Sequence, residues 1–95
     1  MKHSVNQEQA ETIAITALGF LAGDQELLDR FMAISGIAGQ DIRQAASSPG
    51  FLAGVLSFLL NHEPSLMMFC QNSNIQPERV AEAFAALPGG SPIEF

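Results

Sequence analysis

The sequence predicts an all-α fold, a compact six-helix bundle built from two similar three-helix units. Three observations carry that expectation. Apolar residues recur at helical spacing through most of the chain. Gly, Asn and Pro stand where such stretches stop and start. No segment alternates polar and apolar residues with period two over a useful length, so no strand is expected.

The first helix is expected from about Asn6 to Gly23. Ala10, Ile13, Ala14, Ala17, Leu18 and Leu21 form one face of it, and Gly23 is a residue type that commonly follows a helix end. Asp24 is suited to cap the second, whose inner face would be Leu27, Leu28, Phe31 and Ile34, with Gly36 ending it. A short third helix is read over Gln40–Ala46, carrying Ile42. Ser47 or Ser48 would cap the fourth, with Pro49 at its first position, where a missing N–H costs nothing. Phe51, Leu52, Val55, Leu56, Leu59 and Leu60 line this helix, and Phe58 widens its apolar stripe. The fifth runs from Pro64 to about Ser73 and stops at Asn74. The sixth starts at Pro77, turns Val80, Ala83, Phe84 and Leu87 inward, and ends at "PGGSP". Glu8, Glu26, Asp41, Glu63 and Glu78 fall near helix starts, where negative charge is favourable. Part of the acidic balance is therefore structural.

The two-unit expectation comes from self-similarity. Residues 17–45 and 55–83 align without a gap at an offset of 38. Phe20 falls on Phe58, Leu21 on Leu59, Leu28 on Leu66, Phe31 on Phe69 and Ile37 on Ile75, and Gly36 falls on Asn74. Chance likeness between amphipathic helices is the plainer reading. Turn residues match as well as apolar ones, which favours duplication. The first unit would cover about 6–46 and the second about 49–87, followed by a short tail, 88–95, all within a single domain, 1–95. The first helices of the two units would form the central pair. The core is expected around Leu18, Leu21, Phe31, Phe58, Leu59 and Phe69.

The stretch "FLAGVLSFLL", Phe51 to Leu60, has one polar residue. Even counted from Pro49 it would span only about 18 Å as a helix. A bilayer core is about 30 Å thick, so a buried core helix is expected and no membrane partner. The net charge is −6, with ten acids against the four bases Lys2, Arg30, Arg43 and Arg79. A surface that holds phosphate needs clustered cations, so nucleic acid is not expected as a partner. The single cysteine, Cys70, has no internal disulfide partner and fits a reducing, cytoplasmic setting. The start "MKHSVNQEQAE" lacks the apolar stretch of a signal peptide.

The stretches "ALGFLAGDQELLDRFMAISGI" and "FLAGVLSFLLNHEPSLMMFC" resemble a family of small alphaproteobacterial proteins catalogued as a domain of unknown function. The resemblance runs from about Ala17 to Leu87 and rests on helix-face and turn residues. It implies an all-helical bacterial protein and transfers no functional residue.

Chemistry-bearing residues are sparse. His62, Glu63 and Cys70 lie close in sequence, but the first two suit a helix junction and Cys70 sits within apolar "MMFC". No cofactor, metal site or catalytic residue is expected: two His 59 positions apart do not make a ligand set, and no glycine stretch matches a phosphate loop. "LLDRFMAISGIAGQDIRQAAS" has helix-turn-helix form, making a nucleic-acid-binding regulator the alternative reading, yet its second helix offers only Arg43 against Asp41.

The preferred reading is a small cytoplasmic interaction or adaptor module that binds a protein partner or itself. Its candidate contact residues are Met67 and Met68. In the 38-residue alignment they fall on Asp29 and Arg30, whose charges mark an outward face. Methionine is adaptable and common at binding surfaces. The competing reading is that the start of the first helix or the "SPIEF" tail covers the pair.

Overall fold

The structure is a computed structural model and describes residues 5–36 and 50–88. Among these residues there are five α-helices: α1 (Gln7–Ala22), α2 (Gln25–Ser35), α3 (Phe51–Leu60), α4 (Glu63–Ser73) and α5 (Pro77–Ala86). They form an all-α bundle.

α1 begins at a capping box. The Asn6 side chain accepts from the Gln9 amide at 2.7 Å, and the Gln9 side chain accepts from the Asn6 amide at 3.1 Å. Two donors that helix geometry leaves unpaired are thereby satisfied. The buried stripe of α1 is Ala10, Ala14, Ala17 and Leu21, with Ile13 and Leu18 half-buried beside it. Three buried alanines let neighbouring helices come close. α5 and α3 are the main neighbours of α1, and α5 also packs on α3. The last helix therefore closes the bundle over the first and the most apolar one.

Asp24 caps α2, its carboxylate accepting from the Leu27 amide at 3.3 Å. Gly36 ends that helix at φ +75°, a conformation that costs residues with a Cβ and that glycine adopts freely. α3 buries Phe51, Ala53, Val55, Leu56, Phe58 and Leu59. A helix apolar on nearly every side belongs inside. Phe31 of α2 meets Phe51 and Phe58 of α3 edge to face, with ring centroids 6.0 and 5.6 Å apart. Phe20 of α1 meets Phe69 of α4 in the same way at 5.5 Å. These contacts add to what area burial alone contributes. No helix among the described residues is long and apolar enough to cross a membrane.

The expected architecture of six helices in two repeated units is not found. Five helices are present among the described residues, and no clear repeat at offset 38 relates them. The third expected helix, Gln40–Ala46, lies outside the described residues. The helices expected to open the two units also differ in length, α1 having 16 residues and α3 having 10. Aligned positions also differ in burial: Phe20 and Leu28 are half-buried, whereas Phe58 and Leu66 are buried. α5 packs on both α1 and α3, so the described helices do not divide into two triplets. Similar turn residues at Gly36 and Asn74, both left-handed, reflect what helix ends require of any chain.

α3 starts at Phe51 with Gly50 as its cap at φ +90°, and the expected cap at Ser47 or Ser48 and first position at Pro49 lie outside the described residues. Two other local expectations change. Ile34, expected inside, is 70% exposed. Leu18, expected at the centre of the core, is only half-buried, while Leu21, Phe31, Phe58, Leu59 and Phe69 are buried as expected.

Candidate functional site

α4 has two contrasting faces. Ser65, Leu66, Phe69 and Cys70 are buried, at the spacing that turns one side of a helix inward. Glu63, Pro64, Met67, Met68, Gln71 and Asn72 are exposed and share the opposite side. Within that outer face Met67 is 52% and Met68 48% exposed. Asp29 and Arg30 on α2 are exposed as well, as the sequence reading required. The methionines thus stand in water as adjacent neighbours, flanked by a carboxylate one turn before and amides one turn after.

Met67 also borders a groove of about 350 Å³ between α4 and the turn into α5, lined further by Cys70, Ile75 and Pro77. The turn is held by Asn74 at φ +62°, whose amide donates to the Cys70 carbonyl, and the Ile75 amide donates to the same carbonyl at 3.2 Å. The methionine surface therefore sits beside a well-hydrogen-bonded helix end.

Two other concavities were not legible in the sequence. An open cleft of about 740 Å³ lies between the start of α1 and the α4–α5 turn, with Gln9, Thr12, Gln76 and Arg79 on its walls. Residues distant in sequence meet there, and no local pattern signals such a meeting. A more apolar groove of about 340 Å³ runs between α2 and α3 over Phe31, Ile34, Phe51 and Phe58. Gly54 lines it, and a Cβ placed on Gly54 would meet nothing within 4 Å. Gly54 leaves that part of the groove unfilled by a side chain of its own.

Of the reactive side chains, Cys70 is buried and His62 half-buried. The Cys70 thiol is buried, and burial first, then the nearby Glu78 carboxylate, pushes its pKa up. A thiol shifted that way is a poor nucleophile. His62 occupies the cap position of α4, as expected, but its ring shares a hydrogen bond with the Ser65 hydroxyl instead of capping the backbone. Ser65 is buried, so that hydroxyl faces no open site. No group of three or more His, Cys, Asp or Glu residues able to hold a metal occurs among the described residues. The second helix of the helix-turn-helix reading, with Gln40, Asp41, Arg43 and Gln44, lies outside the described residues.

What these elements make is a small all-α bundle with an open methionine face on its fourth described helix. The family model for the DUF3572 proteins of unknown function matches residues 7–90, and the chain belongs to that family. No curated protein and no solved structure matches the chain.

Proposed function

We propose that this protein is a non-catalytic interaction module, and that the outer face of α4, centred on Met67 and Met68, is where a protein partner docks. The observation that carries the reading is the exposure of both methionines at adjacent positions on a helix whose other large apolar residues are buried. Leaving a methionine half in water forgoes part of the roughly 1.5–3 kcal/mol that full burial provides. Exposed apolar side chains mean little singly and more as a patch. The flexible thioether chain adapts to a partner's shape. The buried Cys70 thiol and the His62–Ser65 hydrogen bond support a non-catalytic role. A reducing bacterial cytoplasm is the setting proposed, supported by the single cysteine and by the family resemblance of the two helical stretches.

The test is capture from a bacterial lysate by the immobilised chain, compared with the double variant Met67→Asp, Met68→Arg. Both positions face water, so circular dichroism should show an unchanged fold. The reading expects a protein retained by the wild type and lost by the variant. Retention by the folded variant would place the contact elsewhere.

A further inference from the structure

The outer face of α4 has a shape and a charge as well as an apolar centre. Its exposed residues run from Glu63 to Asn74, about three turns and roughly 18 Å along the helix. The adjoining groove beside Met67 is open and partly apolar, with Cys70, Ile75 and Pro77 along it. A straight strip of that length beside a groove suits a second helix, which presents anchors at i, i+3 or i+4, and i+7.

Among the described residues, the charged side chains on α4 and beside its groove wall at Cys70 are carboxylates. α4 contains Glu63 and no Lys or Arg. Glu78 is exposed in the first turn of α5 and lies near enough to Cys70, on the groove wall, to act on its thiol. The cations among the described residues are Arg30 on α2 and Arg79 on α5, and Arg79 lies 3.8 Å from Glu82. The whole chain carries −6. A second copy docked face to face would set Glu63 and Glu78 against the same carboxylates, with no cation from either α4. Such like-charge contact disfavours self-association.

We infer that the partner seated on Met67 and Met68 is a cationic amphipathic helix, its apolar side on the methionines and its Lys or Arg residues against Glu63 and Glu78. The inference rests on reading this face as the contact surface. The methionines supply adaptable apolar contact, and the carboxylates select the sign of the partner and hasten encounter.

The experiment is calorimetric titration with two synthetic helical peptides of equal length and identical leucine pattern. One carries Lys at every polar position and the other carries Glu. The wild-type chain should bind the Lys peptide at one to one, more weakly as salt rises, and should not bind the Glu peptide. Glu63→Gln with Glu78→Gln should weaken Lys-peptide binding by about tenfold, from two exposed pairs. Glu26→Gln with Asp29→Asn removes equal charge from α2 and should leave binding within about twofold. Met67→Gln with Met68→Gln keeps the charge and should abolish binding. If that methionine variant still binds the Lys peptide, the methionine surface itself is overturned. If both peptides bind equally and both are lost in the methionine variant, the surface stands and the cationic partner is wrong. An equal loss from the α2 and the Glu63/Glu78 substitutions would show attraction to net charge alone and overturn the inference. Binding of neither peptide overturns it too, and a dimer that the methionine variant abolishes would then identify a second copy as the occupant.

Discussion

At the scale of single residues, Phe58 is the clearest point of failure. Its ring is buried in α3 and meets Phe31 edge to face. Removing it forfeits area burial and leaves a void that the neighbouring helices fill only in part, a loss of about 3–5 kcal/mol. Domains of this size hold only about 5–15 kcal/mol in total. Phe58→Ala should therefore melt tens of degrees lower or fail to fold. A midpoint within a degree or two of wild type would show that Phe58 is peripheral. Cys70 gives a second expectation with a definite sign. Burial and Glu78 raise its thiol pKa in the folded state above the ordinary value of 9.0. The native state then holds its proton to higher pH than the unfolded state does. The thiol's contribution to stability is full below the unfolded-state pKa and is lost as pH rises through the raised native one. Denaturant midpoints should fall across that alkaline window in the wild type and fall less in Cys70→Ala. Alkylation of the native thiol should also be slow at neutral pH. Rapid neutral-pH alkylation of the folded chain would contradict the burial.

At the scale of elements, α1 and α3 use small residues in opposite ways. Ala14 of α1 is fully buried where α5 and α3 pack, so added volume has nowhere to go. Ala14→Leu should cost about 1–3 kcal/mol through overpacking. Gly54 of α3 faces open space, so Gly54→Ala meets no clash and gains helix propensity. That change should stabilise the fold by about 0.5–1 kcal/mol. Chemical denaturation of the two variants checks the pair, and shifts in the same direction would contradict the packing described. Much at this scale was legible in the sequence. Asp24 and Gly36 bound α2 as expected because caps are local chemistry, needing only a side-chain acceptor or a left-handed residue. Gly50 caps α3, and the expected start at Ser47, Ser48 and Pro49 lies outside the described residues; Ser, Pro and Gly all satisfy start rules, and local rules do not choose among adjacent candidates. Ile34 was misread because its spacing from Phe31 suits either side of the apolar stripe's edge, and only packing decides which way it turns.

At the scale of the molecule, the all-α class and most buried positions follow from periodicity, which is a property of each helix alone. Which helix covers which does not follow. α5 closing over α1 and α3 is a long-range arrangement, and a similarity between stretches of sequence was mistaken for a symmetry of the fold. The methionine pair shows the same division. Its outward direction was inferred through the 38-residue alignment with Asp29 and Arg30, which corresponds to no repeat of the fold; what turns the pair outward is that α4 buries Leu66 and Phe69 on its other side, and the neighbouring groove with Ile75 and Pro77 depends on how α5 returns. The central claim is that the outer face of α4 stands open and apolar. Methyl NMR of the methionines with a soluble paramagnetic probe tests it most directly, because Met32 on α2 is half-buried and serves as an internal reference. The Met67 and Met68 methyl signals should broaden strongly with added probe, and clearly more than that of Met32. Methyl signals of Met67 and Met68 protected as well as Met32, or better, would mean that the chain covers its own α4 face, and the proposed docking surface would not exist.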